Sequence, residues 1–296
     1  MVASRTTTEF VPGDARIGRP PLPPGRLVDI PGRGTTFVRE VAGPAEDAPT
    51  VLLLHGWTVT AAVNWFTAYR PLAEHVRVVS LDHRGHGQGI RSRRPFRLED
   101  AADDAVALAD VLGIDRFVVA GYSMGGPVSQ LVWRRHPDRV QGLVLAATFA
   151  RSWSTAQERI AMRGLGRVGR ASRITPRRRQ LDVFTRAMLA GGSRPSERPP
   201  WMVSEVRSGN VPMMLEAGGA IAEFDSRAWL GEIAVPTGVF ITSHDGIVPP
   251  DRQHRLAALL PHAQIRRAPI DHDGCVTRPR EFIPGFVDLV RHAAGC

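Results

Sequence analysis

The sequence contains no lysine; all 38 of its basic residues are arginine. Cysteine is nearly absent too, with only Cys275 and Cys296, which excludes a disulfide framework and fits a reducing compartment. Long apolar runs are also missing. None approaches the roughly eighteen residues that a membrane-crossing helix needs, so no helical span is expected. Near Met1 the longest apolar stretch is Phe10-Val11, too short for a secretory segment, and a cytoplasmic location is the expectation.

What remains is the composition of a globular chain, 43% hydrophobic and 23% charged. Its 296 residues fit one large α/β domain with an insertion as well as they fit two domains. The charge is unevenly placed. Residues 151–207 hold 13 arginines against 4 acidic residues, whereas the rest of the chain holds 25 of each, so the net charge of +9 lies in this one segment. Residues 1–26 carry five prolines with little apolar periodicity and read as an extended or partly disordered arm.

Apolar, β-branched runs at 37–42, 51–54, 76–81, 117–120, 143–147, 238–242 and 263–268 are strand candidates. The runs at 51–54 and 143–147 are apolar almost throughout, as in strands covered on both faces, and they predict a mainly parallel sheet. Between strands, Ala102, Ala105, Val106, Ala109 and Leu112 recur at helical spacing, with acidic residues early and Gly113 behind, predicting a helix over 98–112. Further helices are expected at 127–136, 252–260 and 280–292. The strand–helix rhythm breaks between about 150 and 229. There the helix-like pieces 156–165, 178–189 and 211–222 are joined by Gly191-Gly192 and a proline-containing stretch at 195–200.

The most informative motif is Gly121-Tyr122-Ser123-Met124-Gly125, placed after the apolar run 117–120 and before a helix-like stretch. A strand that turns abruptly into a helix forces its middle residue into a strained conformation, and glycines two residues either side leave room for the turn. Ser123 is then a candidate nucleophile. Its hydroxyl needs a neighbouring base, most simply a histidine held by a carboxylate.

These residues resemble the α/β-hydrolase fold family over about residue 27 to the C-terminus. The resemblance implies a mostly parallel central sheet flanked by helices, with a helical cap insertion. Its boundaries here would be an arm at 1–26, a core at 27–149 and 226–296, and an arginine-rich cap at 150–225. The family's chain order of Ser, Asp, His implies Asp245 in His244-Asp245-Gly246-Ile247-Val248-Pro249 as the acid. It likewise implies His272, flanked by Asp271 and Asp273, as the general base. The strand and loop Val51-Leu52-Leu53-Leu54-His55-Gly56-Trp57 imply an oxyanion hole made by the backbone N–H groups of Trp57 and Met124, with His55 structural. Asp82-His83-Arg84-Gly85-His86-Gly87 also matches a family stretch, and its histidines read as structural. Neither a metal nor an organic cofactor is implied. The run Gly164-Leu165-Gly166-Arg167-Val168-Gly169 superficially resembles a dinucleotide fingerprint but has no strand before it.

The resemblance further implies that the cap covers the serine. Tyr122, Phe149, Trp153, Trp201 and Met202 are then candidates for the substrate pocket or lid. Arg173, Arg177, Arg178 and Arg179, with Ile160, Met162 and Leu165, are candidates for attracting an anionic substrate or lipid surface. Nucleic acid is not expected, because the arginines are not interleaved with aromatics. The expected activity is cleavage of carboxylic esters with apolar or lipid-like acyl chains through an acyl-enzyme on Ser123. A phospholipase or acyl thioesterase, a cofactor-free perhydrolase and a non-catalytic ligand-binding protein of the same fold stand as alternatives.

Overall fold

The computed structural model describes residues 18–181, 184 and 199–296. Eight strands form one sheet: β1 (Gly25–Ile30), β2 (Gly34–Val41), β3 (Thr50–Leu54), β4 (Arg77–Leu81), β5 (Phe117–Tyr122), β6 (Val140–Ala146), β7 (Thr237–Thr242) and β8 (Gln264–Ala268). Their spatial order is β1-β2-β4-β3-β5-β6-β7-β8. β1 and β2 form an antiparallel hairpin, and β2 also runs antiparallel to β4. Every pair from β4 to β8 is parallel. The parallel part needs cover on both faces, and β3, β5 and β7 are buried along their whole length.

The cover follows from residue alternation. Leu52, Leu54 and Val119 point to one layer, with α3 (Leu98–Val111), α4 (Gly125–Arg135) and α8 (Pro250–Ala258). Val51, Leu53, Val118 and Ala120 point to the other, with α1 (Ala61–Trp65), α2 (Tyr69–Ala73) and α10 (Pro279–Ala294). A short helix, α9 (Gly274–Thr277), leads into α10.

β1 is absent from the strands expected from sequence. Its Leu27 is 58% exposed and only Val28 and Ile30 are buried, so an edge strand here carries too weak an apolar signal to be read. Most of the arm at 1–26 lies outside the described residues. Of the rest, Arg39 donates to the Pro23 carbonyl and Arg19 pairs with Glu205 at 2.6 Å.

Between β6 and β7 the chain forms α5 (Ala156–Ser172), α6 (Pro200–Arg207) and α7 (Val211–Glu223). The helix expected at 178–189 and the Gly191-Gly192 link fall largely outside the described residues. α5 runs seven residues past its expected end at Leu165, through glycines that each disfavour a helix by about 1 kcal/mol. Their value lies in packing. A Cβ on Gly166 would come within 3.2 Å of the Gly219 Cα, and one on Gly169 would strike the Pro212 carbonyl at 2.6 Å, so small residues let α5 and α7 approach closely. This accounts for Gly166 and Gly169 without a nucleotide. No helix among the described residues is long and apolar enough to cross a membrane.

Candidate active site

The strand order creates one place where the chain diverges. From β3 the next strand, β4, lies on one side, while from β5 the next, β6, lies on the other. A crevice therefore opens beyond the carboxyl ends of β3 and β5, where ligands bind in open α/β sheets. The residues after β5 and β3 are Ser123 and His55-Gly56-Trp57.

Ser123 has φ of 52°, a left-handed conformation disfavoured for any residue with a Cβ. Three hydrogen bonds hold it there. Its N–H donates to Ala146 O (3.0 Å), and its carbonyl accepts from the Gly126 N–H (2.9 Å) and the Thr148 hydroxyl (2.7 Å). Both flanking glycines are sterically required: a Cβ on Gly121 would fall on the Gly125 carbonyl, and one on Gly125 on the Leu54 carbonyl. We expect Gly125→Ala to lower stability by about 2 to 3 kcal/mol, because the obstacle is backbone. Gly164→Ala, with no atom within 4 Å of the new Cβ, is the matched control and is expected to be neutral or stabilising in urea titrations.

The structure joins Ser123, His272 and Asp245 in one chain of hydrogen bonds. His272 Nε2 lies 2.9 Å from Ser123 Oγ, and His272 Nδ1 lies 2.7 Å from Asp245 Oδ2. Asp245 is 4% exposed and fully engaged. Its Oδ1 accepts from the Ile247 and Val248 N–H groups, while its Oδ2 accepts from the Thr242 hydroxyl and Gln253. Such a carboxylate has no freedom to turn from the imidazole. Asp271 anchors the histidine loop, since its Oδ1 accepts both the His272 N–H (2.6 Å) and the Gly246 N–H (3.1 Å). Asp273 stands at the start of α9 and accepts from the Thr277 hydroxyl.

Met124 is the N-cap of α4, so its N–H is among those left without a helical partner at a helix start. Gly56 passes beside the serine, because a Cβ there would lie 3.4 Å from Ser123 Cβ. Asn64, 3% exposed in α1, accepts the Gly56 N–H at 2.8 Å and fixes the His55–Gly56 peptide, one residue before the Trp57 N–H. Its amide nitrogen faces Cys275 Sγ at 3.6 Å, three residues beyond His272. Sequence reading missed Asn64; the signal was one polar residue inside the apolar run of α1. Trp57 also reaches outward, its indole N–H donating to Met214 O (2.6 Å) in α7.

His55 is structural, as expected. Its Nδ1 lies 2.7 Å from Gly56 O and its Nε2 accepts the His83 N–H at 2.9 Å, which fixes a neutral tautomer. Burial, then the neighbouring His83 and His86, holds its pKa well below the ordinary value.

The lid and pocket candidates are packed as follows. Tyr122 is 3% exposed and its hydroxyl donates to His272 O (2.8 Å), so it supports the histidine loop from within the core. Burial raises its pKa and keeps it a donor. Phe149 and Met202 are 4% and 2% exposed and belong to the two core layers. Trp201 packs edge-to-face on Phe66, and Trp153 lies under the guanidinium groups of Arg151 and Arg159. Arg173 is partly exposed but is taken up by partners within the chain. It binds the buried Glu216 through two nitrogens (2.6 and 2.7 Å) and donates to the carbonyls of Ser92, Arg93 and Arg94.

Residues 49–279 match the model of the α/β-hydrolase fold family. The chain belongs to this family. Within it, a protein of Caulobacter sp. (strain K31) provisionally named a carbamate hydrolase is 30% identical over 247 residues, covering 81% of this chain and 90% of its own. The pimeloyl-[acyl-carrier protein] methyl ester esterase of Chromobacterium violaceum is 29% identical over 250 residues, covering 81% and 93%. Among solved structures, a hydrolase from Pseudomonas aeruginosa superposes with a TM-score of 0.73 at 23% identity, covering 92% of this chain and 98% of that one.

Proposed function

We propose that the protein is a serine hydrolase that cleaves carboxylic esters through an acyl-enzyme. One observation carries the reading: the hydrogen-bonded chain Asp245–His272–Ser123 ends on a serine held at positive φ, beyond the carboxyl ends of β3 and β5, where the chain turns to opposite sides. His272 Nε2 takes the Ser123 proton as the oxygen attacks the carbonyl, and Asp245 holds the imidazolium that forms. The N–H groups of Met124 and Trp57 receive the oxyanion, each lowering the barrier by about 3 kcal/mol. His272 then protonates the leaving alcohol. Water, activated by the same nitrogen, releases the acid.

The test is covalent labelling. A fluorophosphonate should modify the wild type on Ser123 and leave Ser123→Ala unmodified, whereas equal labelling of both proteins would sink the proposal.

Asn64 supports this chemistry as a positioning residue. Asn64→Ala is expected to lower kcat roughly tenfold with KM little changed, the loss of a transition-state interaction. Asn64→Asp, which keeps an acceptor for Gly56 N–H, should recover most of the rate. A fall in KM and kcat alike, or no rescue, would remove Asn64 from the reaction.

For the substrate we favour an apolar or lipid-like acyl chain. The segment 150–225 supports it as a lid, since the Trp57 indole reaches α7 and the exposed side of that segment carries Ile160, Val168 and Ile174 beside Arg163, Arg167 and Arg170. Such a surface also suits peripheral contact with anionic lipid. The anionic-substrate alternative has narrower support: Arg173 is bound internally, and Arg177 donates to the carbonyls of Arg207 and Ser208. Arg178 and Arg179 remain exposed. A carbamate, the substrate in one relative's name, presents a carbonyl open to the same attack and belongs in the substrate panel.

A further inference from the structure

The segment between β6 and β7 leaves and re-enters the core at neighbouring points, where Arg151 and Asp225 form an isolated antiparallel bridge. Beside this bridge lies a cavity of about 130 Å³ lined by Arg151, Trp153, Arg227, Arg252 and Arg255. The arginines come from three parts of the chain: the outgoing segment after β6, the turn that follows Asp225, and α8. None of Ser123, Asp245, His272, Trp57 or Met124 lines the cavity.

The charges around it do not balance. Arg227 is held by Asp225 at 2.6 Å and Arg252 by Glu158 at 2.7 Å, while Arg255 has only the exposed Asp251 at 3.7 Å. Arg151 has no ion pair among the described residues. Its guanidinium lies 4.2 Å over the Trp153 ring, and its Nε donates to Trp153 O at 3.1 Å. The two terminal nitrogens form no hydrogen bond among the described residues. Arg159, paired with Glu223, adds a further positive charge 4.9 Å from the same ring. A flat guanidinium laid on an indole keeps its N–H edge available, and that edge suits the paired oxygens of a phosphate or carboxylate.

We propose that this cavity is an oxyanion-binding site, specific for a phosphate-sized anion, at the base of the inserted segment. Its volume suits a phosphate group. A bound anion would supply the missing partner for Arg151 and a closer one for Arg255, and tie both ends of the segment to α8. Arg252 begins that linkage without a ligand, since it donates to the Ser152 carbonyl, to Ser154 Oγ (3.3 Å) and to Glu158. The site is independent of the proposed catalysis at Ser123.

The test is thermal unfolding of the full chain at constant pH and ionic strength, with inorganic phosphate replacing chloride. Phosphate should raise Tm in a saturable manner. Arg151→Gln and Arg255→Gln should each raise the half-saturating concentration about tenfold, while Arg267→Gln, at an exposed position of β8, should leave it unchanged. Arg255 is an exposed helix residue, so its variant folds even if Arg151→Gln does not. Phenyl phosphate run in parallel separates the two sources of the anion: equal half-saturation marks the free ion, and tighter binding marks a phosphate on an organic body packed against Trp153. The proposal is overturned if chloride stabilises as well as phosphate, if the Arg151 and Arg255 variants bind like wild type, or if phosphate competes with a neutral ester for Ser123.

Discussion

Replacing Ser123 with alanine is expected to lower kcat for ester hydrolysis by roughly a millionfold, a loss of the size seen when a serine nucleophile is removed from such a triad. His272→Ala should cost about as much, and the double variant Ser123→Ala/His272→Ala no more than either, because the two act as one unit. Asp245→Asn is expected to cost roughly ten-thousandfold. In that variant the amide NH₂ can replace the acceptor that His272 Nδ1 meets at 2.7 Å and stabilise the wrong tautomer. Single-turnover rates on a nitrophenyl ester, with circular dichroism to verify folding, measure all four. Additive losses in the double variant, or retention of more than about a hundredth of the wild-type rate by Ser123→Ala, would place the chemistry elsewhere.

The serine turn was legible because its requirements are local. Gly121 and Gly125 have no space for a Cβ, and the apolar run before them could only be a buried strand. Asp245 and His272 were reachable only through the family resemblance, since 149 positions separate the serine from the histidine it faces. Periodicity cannot supply such a pairing. The burial of Met202 and Phe149 was not legible, because an aromatic or methionine reads the same in sequence whether it lines a pocket or fills a core. Arg173 could not be told from Arg177–179 either. Its partner, Glu216, lies 43 residues further on and is buried, and nothing in local charge patterning points to it. Thr148 and Asn64 were invisible in the same way, because a single polar side chain becomes informative only when the backbone group it meets is known.

Acidification is expected to destabilise the fold well before most carboxylates titrate. His55, His83 and His86 lie together, with ring centroids 4.4 Å apart for His55–His83 and 5.4 Å for His55–His86, and all three are buried. Burial first, then His86, lowers His83 to about 3; burial lowers His86 to about 4, opposed by its bond to Arg84 O and assisted by Arg91. Both ring nitrogens of His83 and Nε2 of His86 lack a hydrogen-bond partner among the described residues, so a proton there would gain no acceptor. Because the unfolded chain protonates these groups near 6.5 and the folded chain does not, stability falls as pH drops from 6.5 toward the folded values. At pH 4.5 the loss is about 3 kcal/mol for each of His83 and His86. Asp82 acts in the opposite sense. Burial raises its pKa to about 6 even though it accepts the Ala61 and Gln88 N–H groups, so the folded state gains stability as this carboxyl protonates below that pH. That gain is about 2 kcal/mol at pH 4.5, and the histidines prevail. Urea titrations at pH 7.5 and 4.5 should show a net fall of several kcal/mol, reduced by about half in His83→Gln, which cannot take a proton. Equal stability at the two pH values, or an unchanged difference in His83→Gln, would mean that these histidines do not control the acid limit of the fold.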